Sequence, residues 1–354
     1  MLQAADVESR DQARVTESVT TVSRAHANLE RVVADFLNIS CRPAPDDLRC
    51  LQTVIGMHSL ACATRVAEAS GVLPPEILRV VEPARRAHAM SPLINRFQTW
   101  PRGYPGDFET IEWLYESRNE AEPGTFAFSL EQCALNSVLA QQHRNKIDWQ
   151  ARRAEDICSS CHDKSPRILS VGCGGSIDLR QCLKHLQNVD AEIVLNDYDA
   201  GALQHSAARL SGLRSTLIKG HALRAAREIL GNGPYDLVLA GGLFDYLLDE
   251  QLQSLLPRLV GSLSPNGALC FTNMVSDNPY RTWMTYFANW ALIHRSEVEV
   301  NRLVHSIRRN DVSWNATRDA TGLAILVHVR REVASSVPLS DDATALTATD
   351  AQVN

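Results

Sequence analysis

Apolar residues recur every three to four positions through the first 160 residues, with no strand-like alternation among them. The spacing predicts helices over about 7–37, 48–70 and 75–88, the last opened by Pro74-Pro75, and one long helix from Phe126 to about Ala154. A turn-rich loop, Trp100-Pro-Arg-Gly-Tyr-Pro-Gly-Asp107, interrupts them; its prolines and glycines fix the turn, and Asp107 stands ready to cap a helix from Phe108. After residue 160 the pattern changes. Apolar runs near 167–171, 191–196, 213–218, 235–240 and 267–273 read as strands, separated by helical stretches near 176–187, 200–210, 221–230 and 248–262. Helical patterns near 281–292 and 296–308 follow, and 312–317 with 323–331 read as a hairpin around Gly322. The expected organisation is a helical substrate or lid domain over 1–160, an α/β domain over 161–331, and a tail over 332–354 whose polar composition reads as disordered.

The junctions of this alternation carry the chemistry. The first strand runs into Gly172-Cys-Gly174-Gly175-Ser176, where glycines let the backbone approach a bound nucleoside closely. The second strand ends in Asp197-Tyr198-Asp199, which delivers a carboxylate to ribose hydroxyls. In an open parallel sheet, ligands bind beyond the carboxyl ends of the strands, so the loops at 172–176, 197–199, 221–222 and 241–246 should share one crevice. Two further stretches compete between ligand contact and plain structure. Arg102, Tyr104 and Asp107 sit in the rigid loop, either in contact with a ligand or with Arg102 and Asp107 paired to each other; Asn136 and Gln141-Gln-His-Arg-Asn-Lys146 form either a solvated face or a polar wall.

Composition narrows the class. A chain of 354 residues with 45% hydrophobic content can bury a sizeable core. A net charge of -6 without a long basic run argues against nucleic acid or an anionic membrane as partner and leaves a small-molecule substrate; the oligomeric state, monomer or homodimer, stays open. The first ten residues have no basic and apolar leader pattern, so a cytoplasmic protein is expected. Nine scattered cysteines suit reduced thiols. Cys158-Ser-Ser-Cys161-His162 has the spacing of c-type haem attachment, which needs export, and lacks a second ligand pair for zinc; a loop dithiol is the default, and no metal is expected.

The Gly-Cys-Gly-Gly turn lacks the third glycine of the dinucleotide fingerprint, the acidic strand end continues as Asp-Tyr-Asp, and a late hairpin closes the sheet. On these features residues 165–331 resemble class I methyltransferases that use S-adenosylmethionine (SAM). The resemblance implies a Rossmann-like seven-stranded α/β sheet with an antiparallel last strand. It implies that Gly172, Gly174 and Gly175 lie under the methionine part of SAM, that Asp197 holds the ribose, and that His221-Ala222 covers adenine where many relatives carry an acid. Tyr198, Gly241 and Arg102 complete the expected cofactor contacts. Over nearly the whole chain, the 101–112 stretch, Arg144-Asn145 and Gly242-Leu-Phe-Asp-Tyr-Leu247 resemble a narrower family. That family is associated with 3-hydroxypalmitic acid methyl ester formation and is similar to methyltransferase-like synthases that cyclise SAM, such as azetidine-2-carboxylic acid synthases. Thr285 and Asn289 stand where the ester-forming pattern carries acids, which favours SAM cyclisation over O-methylation of a hydroxy acid. Cyclisation needs a neutral amine folded against its own γ-carbon beside an aromatic face. Tyr104 or Tyr246 is expected to supply the face, and Asp245, Asn136 or Tyr104 to hold or deprotonate the amine.

Overall fold

The computed structural model describes residues 2–160 and 164–332. Seven helices precede the first strand: α1 (Leu2–Cys41), α2 (Asp46–Ala69), α3 (Pro74–His88), α4 (Pro92–Thr99), α5 (Phe108–Glu116), α6 (Phe126–Leu135) and α7 (Val138–Ser160). The strands and helices then alternate as β1 (Arg167–Val171), α8 (Ile177–Gln181), α9 (Leu183–Asn188), β2 (Glu192–Asp197), α10 (Ala200–Arg209), β3 (Arg214–Lys219), α11 (Ala226–Gly231), β4 (Tyr235–Ala240), α12 (Asp249–Gly261) and β5 (Leu263–Met274). The order closes with α13 (Arg281–Tyr286), α14 (Glu297–His305), β6 (Val312–Arg318) and β7 (Ala324–Arg331). The expected tail lies, apart from its first residue, outside the described residues, as do Cys161 and His162.

The strands form one seven-stranded sheet of order β3-β2-β1-β4-β5-β7-β6. The first five are parallel, and β7 runs antiparallel between β5 and β6. The strand order reverses between β1 and β2 on one side and β4 on the other, which opens a crevice at their carboxyl ends. Apolar residues on both sides of β1 and β4 are fully buried, as expected of parallel strands covered on two faces.

Three departures from the expected elements have local causes. The long helix over 126–154 is two helices. Ser137 resets the chain, because its hydroxyl accepts the Ala140 N–H at 3.1 Å, while the Asn136 amide donates to the Gln132 carbonyl at 2.9 Å. Residues 221–225 form turns onto the His221 carbonyl, so α11 starts at Ala226. The helix after β5 stops at Tyr286, and Asn289 takes a left-handed φ of 52°.

One apolar cluster joins the N-terminal helices to the chain beyond β5. Leu29, Phe36, Leu60, Ile77, Leu93 and Leu130 pack with Met274, Trp283, Phe287 and Trp290. Helix α7 belongs to both parts: Leu139 and Ala140 enter this cluster, whereas Ala154 and Cys158 pack under the sheet with Ile168, Ile193 and Leu237. The helical region is therefore seated directly over the crevice.

Candidate active site

The carboxyl ends of β1, β2 and β4 and the first half of α7 enclose a cavity of about 390 Å³. Gly172, Gly174, Gly175, Asp197, Tyr198, His221, Ala222, Gly241, Asp245, Tyr246 and Tyr104 all line it, so the four expected loops do converge. At the floor, Gly172 has a φ of 61°, and an added Cβ would lie 3.2 Å from Leu243. A side chain here would be strained and would press into the 241–246 loop. The Asp197 carboxylate accepts the Gly174 N–H at 2.8 Å and the Asp199 N–H at 2.9 Å, and burial raises its pKa. It thereby binds the glycine turn to the end of β2 while still lining the cavity. Next to it, Ser176 Oγ is buried without a hydrogen-bond partner. A spare hydroxyl, a glycine floor and a carboxylate suit the amino-acid and ribose ends of a nucleoside sulfonium.

Above this floor, the 101–107 loop is clasped to α10. Arg102 Nη2 donates to Asp199 Oδ1 at 2.7 Å, and the Tyr104 hydroxyl donates to Asp199 Oδ2 at 3.0 Å. The guanidinium holds the Asp199 carboxyl down at about 2, whereas burial and the nearby carboxylates push the Tyr104 phenol up. Across the cavity the Tyr246 hydroxyl donates to the Pro105 carbonyl at 3.1 Å and accepts the Trp290 indole N–H at 2.8 Å. Both ends of the loop are thus pinned.

The 241–246 loop is held from below. Arg295, 2% exposed, donates to the Phe244 carbonyl at 3.0 Å, the Leu247 carbonyl at 2.6 Å and Asn273 Oδ1 at 2.7 Å. Asp245 accepts from Asn273 Nδ2 at 2.9 Å and from the Met274 N–H at 2.7 Å, and lies 3.5 Å from Lys146 Nζ. Burial raises the Asp245 pKa against the pull of Lys146.

Several expectations need correction. Asn136 is exposed at the end of α6 and does not line the cavity, because its amide is spent on the Gln132 carbonyl. Arg102 is not on the cavity wall either; it stacks over Phe108 at 4.7 Å and holds Asp199. Asp107 pairs with Arg96 at 2.7 Å instead of Arg102, and caps α5 through the Thr110 N–H at 2.9 Å. Thr285 and Asn289 also lie off the wall, and Asn289 donates to the Gln98 carbonyl at 2.9 Å. Neither position lines the cavity, so the absence of acids there does not bear on its wall. Arg144 and Asn145 are structural: Arg144 binds the Leu114 and Leu135 carbonyls at 2.8 and 3.0 Å, and Asn145 binds Asp319 at 2.8 Å.

Helix α7 was expected near the site, but the residues it contributes were not singled out in advance. His143, Lys146, Ile147 and Gln150 line the cavity, and the Gln150 amide occupies the space a Cβ on Gly241 would fill. Their spacing of three, four and seven residues is a signal for one helix face, hidden because polar residues crowd the other faces as well. Among the described residues no group of three or more His, Cys, Asp or Glu side chains is arranged to hold a metal, and no helix is long and apolar enough to cross a membrane.

A sheet of this order, with a glycine turn and a carboxylate at adjoining strand ends, defines the Rossmann-like fold of class I SAM methyltransferases. Residues 169–269 match the protein family described as Methyltransferase domain, so the chain carries a SAM-dependent transferase domain. No curated protein matches the sequence. Among solved structures, a possible exported protein from Bordetella parapertussis is similar at 16% identity and a TM-score of 0.52, over 89% of this chain and 97% of that one. Magnesium protoporphyrin IX methyltransferase from Synechocystis PCC 6803, with bound S-adenosylhomocysteine, covers 55% of this chain and 88% of its own at 10% identity and a TM-score of 0.42. The N-methyltransferase NodS from Bradyrhizobium japonicum WM9, also with S-adenosylhomocysteine, covers 52% and 87% at 13% identity and a TM-score of 0.38. The first of these spans the helical region as well as the sheet, so the two-part fold is shared.

Proposed function

We propose that this enzyme folds SAM beneath the pinned 101–107 loop and cyclises it to azetidine-2-carboxylate, releasing 5′-methylthioadenosine. The observation that carries the reading is the pinned loop. The 101–107 loop is pinned at Asp199 and Tyr246, over a cavity of about 390 Å³. That volume lies near the lower end of small-molecule sites, which run from about 300 to 1,000 Å³, and matches one substrate better than SAM beside a long acyl chain. Tyr104, Phe108, Tyr246 and Trp290 line it, offering aromatic faces to a sulfonium cation. In this reading Asp197 holds the ribose, the glycine turn lies under the methionine part, and His221-Ala222 borders adenine. Tyr104, Asp245 and Tyr246 shape the chamber around the folded amine.

The second reading is O-methylation of a hydroxy fatty acid or similar small acid. Lys146 favours it, since an ammonium on the cavity wall gives an acceptor carboxylate a partner. Incubating the purified protein with SAM alone separates the two. Accumulation of methylthioadenosine with a four-membered amino acid supports cyclisation; SAM that is consumed only when an acid is added, and then yields S-adenosylhomocysteine, contradicts it.

A further inference from the structure

The α7 wall carries a group that the reading above leaves without a task. His143 is 7% exposed, and its imidazole stacks on the Trp290 indole with centroids 5.3 Å apart and planes inclined by 13°. Its Nε2 is buried with no hydrogen-bond partner. An unpaired buried polar atom costs on the order of 1–3 kcal/mol, so a folded protein rarely keeps one without a use. Burial, then the charges of Lys146 and Arg144, pushes the His143 pKa well below 6.5, leaving a neutral ring with a free lone pair.

The phenols and the Asp245 carboxylate on the cavity wall are already committed. The Tyr104 and Tyr246 hydroxyls donate to Asp199 and Pro105, and both phenols are pushed up in pKa, which makes them poor proton acceptors. Asp245 is occupied by Asn273, Met274 and Lys146. His143 is the cavity-wall side chain with a buried, unpaired ring nitrogen.

We propose that His143 is the proton acceptor that makes the substrate amine nucleophilic. The assignment rests on the cyclisation reading. One proton passes from the ammonium of SAM to the imidazole. The freed nitrogen lone pair forms the N–Cγ bond as the Cγ–S bond breaks, and its electron pair returns to sulfur. The products are azetidine-2-carboxylate, which keeps two protons on its ring nitrogen, and neutral methylthioadenosine; the imidazolium then gives its proton to water. The step matches basicities from both sides. The sulfonium and Lys146 lower the pKa of an amine held in the same cavity, while the Trp290 face stabilises the imidazolium once formed.

Three variants test this. His143→Phe keeps the stack on Trp290, His143→Gln keeps hydrogen bonding without basicity, and His143→Ala leaves room for an added base. At neutral pH each is expected to lose about 10²–10⁴-fold in kcat for methylthioadenosine release from SAM alone, with S-adenosylhomocysteine affinity held within about threefold. Imidazole and its methylated derivatives should restore turnover to His143→Ala, more strongly for the more basic ones. The deficit should shrink as pH rises and the amine loses its proton unaided. Lys146 and Arg144 act on the ring, Asp245, Tyr104 and Tyr246 line the same cavity, and all remain in place, so the profile reports on His143. Wild-type kcat in His143→Phe, no rescue of His143→Ala by imidazole, or loss of S-adenosylhomocysteine binding in all three overturns the assignment alone. Wild-type protein that releases no methylthioadenosine from SAM overturns the cyclisation reading, and the assignment with it.

Discussion

Gly106 shows how tightly the pinned loop sits against Tyr246 and Trp290. It has a φ of 66°, and an added Cβ would lie 2.4 Å from the Tyr246 hydroxyl and 2.7 Å from the Trp290 ring. Gly106→Ala should therefore force the loop away from both rings and strain a left-handed backbone by about 1–2 kcal/mol. We expect about tenfold or greater loss in kcat/KM with a lowered melting temperature, and an increase in Trp290 quenching by acrylamide. A second residue-scale effect comes from His88, which is fully buried, stacks on Phe36 at 4.8 Å and has its pKa lowered to about 4 by burial. Above pH 6.5 the ring is neutral whether the chain is folded or not. As pH falls from 6.5 towards 4, the unfolded chain takes up a proton that the folded one refuses, so stability declines, by about 3 kcal/mol in all. Urea melts across this range should show that slope, partly removed in His88→Phe; the buried neutral His143 adds a decline of the same sign. Neither His was legible as a buried group in the sequence, because neither burial nor stacking leaves a mark on local spacing.

At the scale of elements, the sheet was the legible part. Its strands announce themselves as apolar runs ending in glycine or an acid, and the convergence of the 172–176, 197–199, 221–222 and 241–246 loops follows from parallel topology alone. The partners of the 101–107 loop were not legible, because the Arg102–Asp199 pair joins residues nearly a hundred positions apart. Asn136 was misplaced for a local reason: the Asn136-Ser137 break turns one helix into two and moves that amide away from the wall. The clasp makes a prediction. Arg102→Ala should weaken S-adenosylhomocysteine binding by about three- to tenfold, the modest effect expected of a partly exposed bidentate pair, and Asp199→Asn should do nearly the same. Because the Asp199 pKa is depressed to about 2, its contribution is fully present above the usual carboxylate range near 3.8 and is lost as pH falls through 2. Binding calorimetry on both variants checks this; unchanged affinity in each would mean that the loop closes without the clasp.

For the whole molecule, the helical region is a wall of the active site and also part of its core. Met274 at the end of β5, and Trp283, Phe287 and Trp290 after it, pack among α1, α2, α3, α4 and α6. A chain cut to residues 164–332 would expose that cluster, so it should aggregate and fail to bind S-adenosylhomocysteine, as light scattering and calorimetry would show. The same seating holds α7, with His143 and Lys146, across from the glycine turn. An architecture that closes over SAM from above suits a reaction in which SAM supplies both nucleophile and leaving group. The fate of the methyl group tests this most directly. With SAM labelled with carbon-13 at the methyl and no other substrate present, the account predicts that the label appears on the thioether of methylthioadenosine. Label that stays in intact SAM until an acid is added, and then moves to that acid with formation of S-adenosylhomocysteine, would contradict it.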